Sequence, residues 1–410
     1  MASSILEALE IIANSIPIID KEIIPIEMSA GRVVMEDYIA SFDLPRFDNS
    51  AMDGYAVKVE DANKNVHCLE VIYAGDKHNM TLEKGCAIKI MTGAPIPKGC
   101  EAIVPIENVT VANDSVKLPL DIKMNNFIRM AGEDIKKDTV FLHKGEVINA
   151  YSVASLASQG ITHVTVSRVI RVAIFGTGDE LRPHFEKIEP HQLYNSNSPM
   201  FLTRSKALGC DVRFIRTSAD TLEALESSVK SALDADIVIT SGGVSVGDKD
   251  FTKEAFTNLG MQVLVDKIDI KPGRPTIVGH IDNTVIVNLP GNPLASMVNY
   301  ELFVRAIIRK MSGRIDHRHG AICTVMKNDF SMRGGKHAVV LGKFDGSSFE
   351  PIKPQMPGMV SPMKEADGLI LITPDIKILK ANSEVMMIPI AWEFYSNTKK
   401  ELFTLSSKLL

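Results

Sequence analysis

The sequence predicts a multidomain α/β protein, with one doubly wound α/β domain, two smaller mainly β domains and an N-terminal helical linker region. Three observations predict it. Between 171 and 313, short apolar runs alternate with helix-like stretches, the pattern of βαβ units. From 41 to 140 the runs are short, broken by Gly, Pro and Asn, and carry no long helical period. The chain has 410 residues, more than one hydrophobic core usually supports. The expected units are 1–40 with 141–170 for the linker region, 41–140 for an inserted β domain, 171–313 for the α/β domain and 314–410 for a C-terminal β domain.

The first element is a helix over SILEALEIIANSI, with Ile5, Leu6, Leu9, Ile12 and Ala13 on one face and Ser3 or Ser4 as its cap. VHCLEVIYAG, CAIKIMTGA, EAIVPIENV and VKLPL then read as strands of the β domain, and YSVASLASQGI as a short helix leading to the strand THVTVSR. In the α/β domain, strands are expected at RVAIF, DVRFI, DIVIT, QVLVDKIDI and TVIVN. Helices are expected near SPMFLTRSKALG, TLEALESSVKSALD and FTKEAFTNL, with a long one from Leu294 to about Lys310. DIVIT and TVIVN are apolar throughout, as strands are when helices cover both faces of their sheet. After SGRIDHRHG, the runs TVMKND, HAVVLGKF, GLILIT and SEVMMIPI form the last β domain.

Lys and Arg number 45 against 50 Asp and Glu, a formal charge of -5, so no global attraction to nucleic acid or an anionic membrane is expected. Any anion site has to be local. The five cysteines, Cys68, Cys86, Cys100, Cys210 and Cys323, are never spaced as CxxC and read as reduced thiols of a cytoplasmic protein. No apolar run reaches the length of a membrane span, and Glu7 and Glu10 stand where a signal peptide would carry positive charge.

Five segments, IFGTGDEL, FIRTSADT, VITSGGVSVGDKDF, DIKPGRPT and VNLPGNP, leave the ends of expected strands as loops carrying glycine or an acid. In an open parallel sheet the carboxyl ends of the strands form one edge, outside which ligands bind, so Glu180, Asp220, Asp250, Lys271 and Arg274 are expected around one pocket. TSGGVSVGD can turn backbone N–H groups toward a phosphate, or it is only a turn. Gly242 and Gly247 have Walker spacing but are followed by Asp248 and Lys249, and Gly176 and Gly178 are followed by Leu181 where a dinucleotide fingerprint needs a third glycine. An ordinary P-loop kinase or Rossmann dehydrogenase is therefore not expected. Glu180, Asp220 and Asp250 offer hard oxygen ligands suited to Mg²⁺ beside a phosphate, although Asp220 could equally cap the following helix. Lys271 and Arg274 flank a stiff Pro-Gly turn, where they suit an oxyanion or pair with neighbouring acids.

Taken together, FDNSAMDGYAV (47–57), MTGAPIPKGCEAIVP (91–105), RMAGEDI (129–135), GTGDEL (176–181), SGGVSVGDKD (241–250), KPGRP (271–275) and PGNP (290–293) resemble the molybdopterin molybdenumtransferases, the family of MoeA and the gephyrin E domain. The resemblance implies a Mg²⁺-dependent transferase that takes adenylylated molybdopterin and molybdate and releases molybdenum cofactor and AMP. It implies that Gly176, Thr177, Gly178, Ser241, Gly242, Gly243, Ser245, Gly247, Pro290 and Pro293 shape the pterin-phosphate site. Glu180, Asp220 and Asp250 would bind or orient the metal, while Lys271, Arg274 and Ser361 would form the molybdate side.

It also implies a homodimer in which Asp53 and Thr92 act across the interface, an upstream molybdopterin adenylyltransferase, and molybdoenzyme acceptors or chaperones downstream. Arg129 and Asp134 fit either a substrate role or an internal salt bridge. The sequence departs from the family in KPGRP, where KPGKP is usual. It departs again at RGGKHAVVLG, with Lys336 for the expected cation, and at QMPGMVS for a QGS-like turn. A tungstate-inserting paralogue and a non-catalytic pterin-binding scaffold are the alternatives.

Overall fold

The computed structural model describes residues 2–215, 221–243 and 251–390. At its centre is a six-stranded sheet of β1 (Arg171–Gly176), β2 (Asp211–Phe214), β3 (Ile237–Ser241), β4 (Gln262–Val265), β5 (Ile277–Ile281) and β6 (Thr284–Leu289), in the order β2-β1-β3-β6-β5-β4. β2, β1, β3 and β6 are parallel, whereas β5 is antiparallel to both of its neighbours. β4 therefore runs with the parallel set, and its carboxyl end lies on the same edge as theirs.

Two features of this sheet differ from the sequence reading. β5 is not among the expected strands; Gly279 lies within it, where a side chain would run into the backbone of Gln262. β5 and β6 form a hairpin through Asp282 and Asn283, with Asp282 at φ +50°. The expected strand QVLVDKIDI stops at Val265, after which the Ile268 amide turns to the Arg274 carbonyl.

Helices cover both faces. Ile174, Ile239 and Val287 pack with the helices Ile5–Ser15, Asn197–Ala207 and the helix beginning at Pro293, while Phe175, Val238 and Ile286 pack with Leu222–Lys230 and Phe251–Asn258. The long last helix is present from Pro293 to Met311, with a π-helical stretch at Tyr300–Val304. In the first helix Ser4 and Glu7 form a capping box, and Ile5, Ala8, Ile12 and Ala13 are buried. Leu6, expected on that face, is instead 74% exposed.

The inserted domain carries its own six-stranded sheet between Gly54 and Lys117, and the C-terminal domain is a closed barrel. That barrel is completed by an unexpected strand, Ser348–Pro351. All five cysteines are free, and no helix of the described residues is long and apolar enough to cross a membrane.

Candidate active site at the strand ends

β1 connects to β2 on one side while β3 lies on the other, so the chain reverses its order across the sheet between β1 and β3. The loops leaving these two strands diverge there and open a crevice. Their closeness is fixed by a hydrogen bond from the Thr177 amide to the Ser241 carbonyl, 3.0 Å. Gly242 then turns at φ +97°, where a side chain would lie 2.6 Å from the Thr177 carbonyl oxygen. Only glycine lets the backbone pass so close to the first loop.

The resulting cavity, about 560 Å³, is lined by Thr177, Gly178, Glu180, Ser241, Gly242 and Gly243 on one side and by Pro275, Pro290, Gly291 and Pro293 on the other. That size suits a small-molecule ligand. Gly176 lies one residue deeper, at the end of β1 opposite Ser241. Glu180 is exposed at the rim and folds back over Gly178, with no ion-pair partner among the described residues. Close to these loops, Thr240 Oγ1 in β3, Thr252 Oγ1 beside Gly243 and both amide atoms of Asn288 in β6 are buried without hydrogen-bond partners among the described residues, which is unusual.

A further wall was not anticipated. Leu181–Arg182 pairs with Leu193–Tyr194 as a parallel ribbon, and Leu193 to Asn197 line the cavity. Just before the next helix Asn195 Oδ1 accepts from the Ser198 amide in its first turn at 3.0 Å, and Asn197 Nδ2 donates to the Gly291 carbonyl at 2.8 Å. One amide thus ties this wall to the PGNP turn. The signal available in the sequence was the pair of asparagines in NSNSP just before a helix.

The C-terminal barrel docks beside the cavity. The Lys271 amide donates to His337 O and the Val339 amide to Lys271 O, both 2.9 Å, so KPGRP joins the barrel as an extra strand segment. Pro275 lines the cavity, while Lys271 and Arg274 are exposed next to it, without ion-pair partners among the described residues. The reading that pairs them with neighbouring acids therefore does not hold within the described residues. Lys336 is exposed beside His337. From the barrel it is Gly358, rather than Ser361, that reaches the cavity; Ser361 begins the short helix Ser361–Glu365.

Asp53 and Thr92 come together in the inserted domain. Asp53 Oδ1 accepts from the Thr92 amide at 2.7 Å and from its hydroxyl at 2.8 Å, and these bonds hold the carboxyl below its ordinary pKa. The pair does not line the cavity of its own chain. Arg129 and Asp134 are both exposed and form no salt bridge with each other, which corrects that expectation. Asp220, Asp250, Ser245 and Gly247 lie outside the described residues. The helix after 220 is capped by Thr221, whose hydroxyl accepts from the Ala224 amide, so the capping role considered for Asp220 belongs to its neighbour. Among the described residues no group of three His, Cys, Asp or Glu could by itself hold a metal.

A glycine-walled crevice at a strand-order reversal, with an acid unpaired among the described residues at its rim and two cations on the adjoining turn, marks an α/β protein with a ligand-binding site at its strand ends. Three family models match the chain: "MoeA N-terminal region (domain I and II)" over 3–160, "Probable molybdopterin binding domain" over 173–310 and "MoeA C-terminal region (domain IV)" over 324–390. It is 32% identical over 377 residues to a molybdopterin molybdenumtransferase of Staphylococcus epidermidis, covering 89% of this chain and 90% of that one. It is 33% identical over 333 residues to one of Staphylococcus aureus, covering 79% and 80%. The crystal structure of a molybdopterin biosynthesis MoeA protein from Pyrococcus horikoshii superposes with a TM-score of 0.83 at 26% identity, covering 95% of this chain and 100% of that one. The chain belongs to the MoeA family of molybdopterin molybdenumtransferases, transferases of molybdenum cofactor biosynthesis.

Proposed function

We propose that this transferase works on adenylylated molybdopterin and molybdate with Mg²⁺, and releases molybdenum cofactor and AMP. The observation that carries this is the meeting of Glu180, the Gly242–Gly243 turn and the KPGRP turn at one crevice. Mg²⁺ is usually held by one or two carboxylates together with substrate phosphates, so a lone described acid beside a glycine turn fits it. Glu180 would hold it with Asp220 and Asp250, and when bound it supplies neutralisation of phosphate charge.

The chain's own groups supply the rest. The backbone of Gly242 and Gly243 cradles the phosphate. Lys271 and Arg274, on a turn anchored to the barrel, hold the tetrahedral oxyanion near the reacting sulfurs and offset the negative charge gathered there. No side-chain nucleophile is needed.

The chain works as a homodimer in this reading. Asp53 and Thr92 form a preorganised pair that does not line its own cavity, which supports a role at the cavity of a second copy. Molybdate-dependent AMP release from adenylylated molybdopterin tests the reaction, with EDTA and tungstate as further arms. Release indifferent to molybdate and to EDTA would overturn it. Co-expressing Asp53→Ala and Glu180→Ala subunits tests sharing: random pairing gives mixed dimers with one intact site, restoring about a quarter of wild-type turnover. No restoration would refute the shared site.

A further inference from the structure

Tyr194 stands out on the cavity wall. Its side chain is 46% exposed and its neighbour Leu193 62% exposed, yet both line the cavity. Among the described residues the Tyr194 ring makes no aromatic contact, its hydroxyl no hydrogen bond. Its backbone, by contrast, is held firmly. The Leu193 amide donates to Glu180 O and the Asn195 amide to Arg182 O, both 2.8 Å, and the helix that follows is anchored through Asn195 and Asn197. An aromatic ring on a fixed backbone and bare of contacts is open to a flat ligand ring, and with only two side-chain torsions to settle it loses little freedom on binding.

We propose that Tyr194 stacks against a flat nitrogen heteroaromatic ring of the ligand and so adds to its binding at the crevice. This rests on the substrate reading above, which supplies two such rings, adenine and the pyrimidinone ring of the pterin. The ribbon ties this wall to the rim acid: Glu180 O accepts from the Leu193 amide, next to the pairing of Arg182 with Tyr194. Stacking of this kind is sequence-tolerant and strong because every such ring has a π face.

The test compares Tyr194→Phe, Tyr194→Leu and Tyr194→Ala in the full chain, measuring dissociation constants for adenylylated molybdopterin, AMP and molybdopterin, together with KM, kcat and thermal unfolding. Tyr194→Phe should bind like wild type and Tyr194→Ala about tenfold more weakly, with Tyr194→Leu between. The loss should fall on KM with kcat retained, because stacking serves ground and transition states alike. The arm that loses affinity, AMP or molybdopterin, identifies the ring. Wild-type-like binding by Tyr194→Ala, or equal loss in Tyr194→Phe and Tyr194→Ala, would overturn the proposal. If the wild-type chain binds none of the three ligands, the substrate reading itself fails, which is a distinct result.

Discussion

Replacing Asp236 by Asn should weaken the fold while leaving the crevice untouched, and the size of the effect follows from the charge geometry. Asp236 immediately precedes β3, at the end opposite the site. It accepts from both terminal nitrogens of Arg168 at 2.7 Å, from the Arg171 amide at 2.8 Å and from the Arg171 guanidinium at 3.1 Å. Burial alone would raise its pKa; the bonds from Arg168 and then Arg171 outweigh that and bring it from 3.8 to about 2. A displacement of that size corresponds to about 2 kcal/mol of folding stability at pH 7. Because the folded-state pKa is the lower one, this stability is complete above 3.8 and is lost as the pH falls toward 2, with about half remaining at pH 3. Urea unfolding of wild type and Asp236→Asn at pH 7 and pH 3 measures both numbers. The gap should be about 2 kcal/mol at neutral pH and visibly smaller in acid, with KM and kcat unaltered at pH 7. A variant as stable as wild type, or a gap that widens on acidification, would refute the reasoning.

Gly242→Ala should fold but lose about a hundredfold in AMP release, because the turn has to move off the Thr177 carbonyl and the phosphate cradle moves with it; wild-type turnover would show that the turn plays no part. Among the thiols, exposed Cys323 should be alkylated rapidly in the native protein. Burial pushes the thiols of Cys210 up to about 12 and Cys100 up to about 11, and both should stay unmodified at pH 8 by mass spectrometry until denaturant is added.

Much of the α/β domain was legible because its signals are local. Apolar runs such as DIVIT and TVIVN, and glycine or acid immediately after them, are written within single segments, so the strand ends and the loops carrying Glu180, Gly242 and Gly243 could be placed without any partner. The motifs that identify the family are local in the same sense. Where a pattern was locally ambiguous the reading failed: β5 is not among the expected strands, and the reason for the glycine within it, Gly279, is the backbone of Gln262 on the neighbouring strand. Leu6 satisfies a helical period as well as Ala8 does, and only the surface the helix packs against decides that Ala8 is buried and Leu6 exposed.

The sequence by itself thus determined the family, the fold class and the strand-end loops, because each is encoded in contiguous residues. Tertiary structure alone decided which of those loops share a wall. Asn197 reaches across to Gly291, Lys271 joins the barrel at His337 and Val339, and Gly358 rather than Ser361 arrives at the cavity. Such contacts depend on hydrogen bonds and packing between residues far apart in the chain, and no periodicity or spacing within a segment carries that information.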